Sequence, residues 1–179
     1  CVTCQQLNAG RKTVVTMTHI GSSGGSFNRM QLDFVEMPVC NGLCFILVVL
    51  CIFSHWVEAY PSRSNDSFTV VKLLFSELFP HFGLPVSTES HQGIDLKKEV
   101  IKMLYQRFHC RYRPEVSGII KLINGMLNSR PAKVCVSTSL KWPDALPLVL
   151  MRLRSIPERR TRLSPQEILM RRAMRLPAM

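Results

Sequence analysis

Between Gln31 and Pro61 the chain reads QLDFVEMPVCNGLCFILVVLCIFSHWVEAYP, and this stretch limits its folding options most. Gln31 to Glu36 alternates, with Leu32 and Phe34 on one side of a period-two ribbon and the carboxylate of Asp33 on the other. Asn41-Gly42 is a tight-turn pair. Cys44 to Phe53 is a continuous apolar run, the pattern of a strand covered on both faces, and Trp56 to Tyr60 returns as a third strand closed by Pro61. A three-strand meander with a doubly apolar middle strand needs helices on both sides.

At 179 residues, 46% of them hydrophobic, the chain can bury one substantial core. One domain with appendages is therefore expected. Of the 23 Lys and Arg and 12 Asp and Glu, residues 121 to 179 hold twelve basic and three acidic ones, so the last third supplies most of the net charge of +11. Such a surface suits a polyanion, nucleic acid or an anionic membrane, and equally a solubilising tail. The apolar run Leu43 to Phe53 is far shorter than the ~20 residues of a spanning helix, so no membrane role is expected. No basic leader precedes an apolar segment, which points away from secretion. Seven cysteines are an odd number, and Cys40, Cys44, Cys51, Cys110 and Cys135 sit in or beside apolar segments. They read as reduced, buried thiols of an intracellular protein. With Cys1 first, a fragment or a product cut from a longer chain is expected.

Taken in order, Cys1-Val-Thr-Cys4 has the spacing of half a zinc knuckle, which needs ligands from upstream to be complete. Residues 8 to 29, with GSSGGS at 21 to 26, read as a linker. After the meander, Ser64 or Asn65 is placed to cap a helix bearing Phe68, Val71, Phe75, Leu78 and Phe79, which ends at Phe82-Gly83. Val86 to Ser90 is a strand candidate, Leu96 to Phe108 a helix with Val100, Ile101, Leu104, Tyr105 and Phe108 on one stripe, and His109 to Arg113 another strand. From Ser117, the residues Ile119, Leu122, Ile123, Met126 and Leu127 form an amphipathic helix that Pro131 should stop, with Lys121, Gly125 and Asn128 on its polar side. Trp142 to Arg154 is a further helix, made irregular by Pro147. Ser164-Pro165-Gln166-Glu167 has the form of a capping box with proline at the first helical position. The fold class expected is α/β, a mixed sheet of a three-strand antiparallel meander plus short strands, flanked by helices.

These segments, in this order, resemble the integrases of retroviruses and related elements, and most of all the gammaretroviral type. Cys1-Val-Thr-Cys4-Gln-Gln looks like the end of the family's amino-terminal His-His-Cys-Cys zinc module. Gln31-Leu-Asp33-Phe-Val-Glu-Met-Pro38 is similar to its first catalytic strand and Phe53-Ser-His-Trp-Val-Glu-Ala-Tyr-Pro61 to its third. Phe82-Gly-Leu-Pro85 resembles the approach to its second carboxylate. Tyr112-Arg-Pro114 and Ser117-Gly118 with Asn124 resemble the start of its third catalytic helix. Trp142 with Leu146-Pro-Leu148, and Leu163-Ser-Pro-Gln-Glu-Ile168, look like its closing helices. The fold this implies is RNase H-like. The implied division is a zinc-module remnant at 1-8, a linker at 9-29, an integrase-core-like domain at 30-156 and a basic carboxy-terminal helix and tail at 157-179.

The resemblance also implies an Asp, Asp, Glu triad that holds two magnesium ions, because hard cations that activate a nucleophile and steady a leaving oxygen need oxygen ligands. Asp33 matches the first position. His91 stands at the second and Lys121 at the third, so two carboxylates are replaced. A lysine charge ~4 Å from a divalent ion at an effective dielectric of ~20 repels it by roughly 8 kcal/mol. The core is therefore expected to take no cofactor, with magnesium implied by the family alone and zinc at Cys1 and Cys4 only with upstream residues. An ion pair between Asp33 and Lys121 in the metal's place is expected from their matched positions. Cys51 stands where the family usually carries Asp.

The leading expectation is an integrase-like protein of retroviral descent, from an endogenous virus or transposable element, with DNA integration as the family role, catalytically inactive but retaining weak, nonspecific DNA binding. By resemblance Arg111, Arg113, Lys121 and Asn124 face DNA, and Arg152 and Arg154 open a basic tail reaching Arg175. Two alternatives are an active strand transferase with Glu89, Asp95 or Glu115 as surrogate carboxylates, and a homo-oligomerising or partner-binding module, such as a homodimer or a dead subunit joined to an integrase-like partner. The protein is expected inside the cell, in the nucleus if it meets DNA.

Overall fold

The computed structural model describes residues 25–90, 110–113, 118–159 and 161–175. Strands β1 (Arg29–Cys40), β2 (Leu43–Cys51), β3 (Val57–Ser62), β4 (Ser87–Ser90) and β5 (Arg111–Arg113) form one sheet in the order β3-β2-β1-β4-β5. The first three pair antiparallel, Asp33 lying opposite Val48. Both β1–β4 and β4–β5 are parallel, so the sheet is mixed. The expected meander and both short strands are present, and the turn between β1 and β2 places Asn41 at φ 53 and Gly42 at φ 79, backbone that Asn and Gly tolerate.

β2 explains why two helical layers are needed. Its alternate residues Ile46, Val48 and Leu50 enter one core cluster, while Leu47, Val49 and Cys51 enter the other. All six are wholly buried. On the first face lie helices α2 (Gly118–Thr138) and α3 (Trp142–Ser155), which contribute Ile120, Ile123, Leu127, Leu146 and Val149. On the second lies helix α1 (residues 67–82), with Val70, Leu74 and Leu78. A continuous apolar strand thus serves two cores at once, as expected for a strand with helices over both faces.

α1 starts as an α-helix at Ser67–Leu73, widens into a π segment at Leu74–Leu78 and closes with Phe79–Phe82. Pro80 accounts for the widening: it has no N–H to donate and its ring would meet the carbonyl one turn back, strain that a π turn relieves. Gly83 ends the helix at φ 76. The cap is Asp66, neither Ser64 nor Asn65: its carboxylate accepts from Thr69 N at 2.7 Å, and Ser64 Oγ donates to the same carboxylate at 2.7 Å.

α2 runs through Pro131 to Thr138, against the expected stop. The proline is buried, and beyond it Val134 and Cys135 pack on the first core. Burial of that last stretch outweighs the one backbone bond that Pro131 forfeits. α3 is likewise continuous across Pro147. The short helix α4 (Pro165–Met170) carries both bonds of the capping box, Glu167 N donating to Ser164 Oγ at 3.2 Å and Ser164 N to Glu167 Oε2 at 2.8 Å.

The core reaches beyond the expected 30–156 at both ends. Phe27, 3% exposed, stacks on Phe82 with ring centroids 3.8 Å apart, so residues read as linker belong to the second cluster. Ser164, Pro165 and Gln166 are buried at the other end. The expected helix at Leu96 to Phe108 and the residues before Gly25 lie outside the described residues. No helix among the described residues is long and apolar enough to cross a membrane.

The Asp66 cap should be visible in stability against pH. The Thr69 N–H, and then the Ser64 hydroxyl, hold the Asp66 carboxyl below its ordinary value. A lowered folded-state pKa gives stability that is complete above the unfolded pKa of about 3.9 and is lost as pH falls through the folded value. Asp66→Ala is expected to cost about 1 kcal/mol in urea unfolding at pH 7 and progressively less at acid pH.

Candidate functional site

The site is built where β1 and β4 run side by side beneath α2. In β1, Arg29, Gln31 and Asp33 alternate onto the α2/α3 face that Val35 and Met37 also share. The parallel register sets Leu32 beside Ser90, so β4 ends level with Asp33. His91, the next residue, lies outside the described residues, as do Asp95 and Glu115.

Asp33 is half-buried, and both carboxylate oxygens have protein donors. Phe34 N donates to Oδ1 at 2.9 Å, and Asn124 Nδ2 donates to Oδ2 at 2.7 Å. A carboxylate only accepts, so this bond also fixes which end of the amide faces Asp33. Asn124 Oδ1 is buried with no hydrogen-bond partner among the described residues. The bond bridges β1 and α2 across 91 residues of sequence.

At ~100° per residue, Lys121 stands about 60° from Asn124 around the α2 axis, on the flank that also holds Asn128. Ile120, Ile123 and Leu127 form the buried stripe beside it. Lys121 is exposed, and no ion pair joins it to Asp33 among the described residues. This corrects the expected pair: the amide one turn further along the helix reaches the carboxylate, while the longer lysine keeps its ammonium in water, where hydration costs nothing.

Magnesium asks for several hard oxygens in near-octahedral geometry. Here one carboxylate is already bonded to an amide N–H and a lysine stands on the same flank, so the donor set of the described residues does not fit that ion. Among them no three His, Cys, Asp or Glu side chains are grouped closely enough to hold a metal. Glu89 cannot stand in. It is 6% exposed and accepts from Arg29 NH2 at 2.6 Å and Gln31 Nε2 at 2.8 Å, which fixes it within the sheet. Cys1 and Cys4 lie outside the described residues.

The basic residues separate into two kinds. Arg111 on β5, Arg152 on α3, and Arg162, Arg171, Arg172 and Arg175 in the last segment are exposed. The side chain of Arg113 lies outside the described atoms. Arg154, expected to face DNA, turns inward instead: it bonds Glu58 Oε2 at 2.7 Å, donates to the Val57 carbonyl at 2.9 and 2.7 Å, and lies 4.3 Å over the Trp56 ring. Burial lowers its pKa from the ordinary arginine value, and Glu58 opposes that. The sequence signal for this was Trp56 and Glu58 two apart on an edge strand, which offers one face to a planar cation.

The five described cysteines are all free, and Cys51 alone is fully buried. Its Sγ accepts from Phe27 N at 3.1 Å. Burial pushes the Cys110 thiol up to about 11, which removes it as a nucleophile at neutral pH.

No family model matches the chain. It is 36% identical over 177 residues to the Gag-Pol polyprotein of avian reticuloendotheliosis virus, covering 94% of this chain and 15% of the polyprotein. It is 36% identical over 178 residues to the Pol polyprotein of feline endogenous virus ECE1, covering 94% and 17%. The chain thus spans a small part of the polyproteins it matches. Among solved structures, the HTLV-2 integrase catalytic core domain in complex with magnesium superposes with a TM-score of 0.68 at 15% identity, over 80% of this chain and 96% of that one. A simian T-cell lymphotropic virus intasome in complex with PP2A regulatory subunit B56 gamma gives 0.74 at 18% identity, over 100% and 66%. The mixed sheet with helices on both faces is the RNase H-like fold of those cores.

The two kinds of contact predict different losses. Asn124→Ala leaves the half-buried Asp33 short of a donor and should cost about 1–2 kcal/mol in urea unfolding. Arg154→Ala leaves Glu58 with the Trp56 indole N–H, at 2.7 Å, but without its charge partner, and should cost about 2–3 kcal/mol by the same measurement.

Proposed function

We propose, from the premise that this chain is homologous to retroviral Pol polyproteins and carries the fold of an integrase catalytic core, that it binds nucleic acid without cutting or joining it. The observation that carries this reading is the Asp33–Asn124 bond with Lys121 on the same helix flank. The Asp33 oxygens are already taken up by N–H donors, and the Lys121 ammonium on the same flank repels a divalent ion and attracts a phosphate.

In this reading the scaffold supplies binding alone. Lys121 meets phosphate on the flank it shares with Asn124, and Arg111, at the start of β5 level with Arg29, and the exposed arginines of the last segment add further phosphate contacts. Asn124 keeps α2 seated against β1, so that Lys121 is presented at a constant height. Arg154 takes no part, since Glu58 and the Val57 carbonyl hold it. The contacts are to backbone charge, so binding is independent of base sequence. A protein of this kind works inside the cell, in the nucleus where it meets DNA.

A second reading, a self-associating module, is favoured by α1, where Phe68 is 72% and Phe75 38% exposed. Sedimentation distinguishes it: a dimer that Phe68→Ser dissociates, with no DNA retention, would replace the first reading.

DNA retention by the purified protein should fall steeply with salt, log K against log [salt] having a slope of about −0.9 for each phosphate neutralised. Lys121→Ala should lessen that slope by about one phosphate. Magnesium should leave the thermal midpoint of the wild type unmoved and raise that of His91→Asp/Lys121→Glu. Magnesium-dependent strand transfer by the unaltered protein would overturn the proposal.

A further inference from the structure

α2 has a second flank. Ile119, Leu122, Ile123 and Met126 lie on the side away from Lys121 and Asn124 and line a pocket of about 220 Å³, which α4 and the segment before it close. Its floor is the buried Val57, Ile123 and Leu153. Around its walls Leu122 is 44%, Ile156 41% and Leu163 47% exposed. Empty apolar volume thus meets apolar side chains that no other described residue covers, the arrangement of a site for an apolar body.

The pocket is not uniformly apolar. Glu158, Ser54 and His55 stand in its wall. Both side-chain contacts of Glu158 among the described residues are to Oε2, from Thr161 Oγ1 at 3.3 Å and His55 Nδ1 at 3.7 Å. Its side chain is 26% exposed, and Oε1 keeps its acceptor capacity. Arg154 is drawn away to Glu58 and does not neutralise it. His55 Nε2, in the same wall, is buried with no hydrogen-bond partner among the described residues. A mostly apolar wall whose polar groups, Glu158, Ser54 and His55, sit together selects a ligand with one donor head on an apolar body.

We propose that this pocket binds a small organic monocation, an amine or amidine on an aromatic body up to the size of an indole, with the cation at Glu158 and the ring between Leu122, Met126, Leu163 and Ile168. The volume admits it: an engineered apolar cavity of ~150 Å³ already holds benzene. This site does not rest on the nucleic-acid reading: it lies on the flank of α2 opposite Lys121 and shares with that reading only the segment that carries Arg162 and Leu163.

Tryptamine, indole and indole-3-acetate are titrated into the isotopically labelled protein by NMR. Tryptamine is expected to bind with a Kd of roughly 1 mM, as for a dozen heavy atoms at modest efficiency. Shifts should cluster at Ile119, Met126 and Ile168. Glu158→Gln, which keeps the side chain's shape, should weaken tryptamine about three- to fivefold, the range of a partly exposed charge pair, and leave neutral indole unchanged. Leu122→Ser, at an exposed position, should weaken both. The proposal is overturned if the acetate binds as well as the amine, if Glu158→Gln leaves tryptamine unaffected, or if nothing saturates below about 10 mM.

Discussion

The two-sided burial of β2 is the constraint on which the rest of the molecule depends. Ile46, Val48 and Leu50 require a helical layer above the sheet, and Leu47, Val49 and Cys51 require one below. With both faces occupied, the remaining freedom lies at the sheet's edges. The β3 edge is covered in part by Arg154 on the Val57 carbonyl, which removes an acceptor that another strand could use. On the other side the parallel β4 and β5 continue the sheet past β1, and Asp33 lies level with the end of β4.

The chemistry of the site follows from the same geometry. α2 packs on the sheet through Ile120, Ile123 and Leu127, and residues one step around the helix from that stripe necessarily overlook β1. Asn124 is one of them. Its amide donates to Asp33, so the site is held together by a neutral donor on a carboxylate. Lys121, slightly further round, can avoid the low-dielectric gap and stay hydrated. Homology to the retroviral polyproteins and superposition on integrase cores speak for shared ancestry and fold.

Much of the architecture was legible in local pattern. The meander, its Asn-Gly turn, the short strands and the capping box at Ser164 all follow from periodicity and turn chemistry over a few residues. The misreadings share one cause. Pro131 reads as a stop when propensity alone is counted, yet the chain beyond it buries Val134 and Cys135 on the first core. Phe27 reads as linker within a Gly- and Ser-rich stretch, yet Phe82 supplies a stacking partner from 55 residues away. Arg154 reads as one cation among many in a basic segment, until Trp56 and Glu58 arrive from β3 to enclose it.

Sequence alone determined the alternation of β2 and the position of Asp33 on a strand face, because these depend on residue identity and a period of two. Only the tertiary structure decided which side chain answers Asp33. The candidates on α2 lie within a single turn, and a rotation of about 60° separates the amide from the ammonium. That rotation is set by how Ile120, Ile123 and Leu127 seat on the sheet, a packing choice made by strands some ninety residues away.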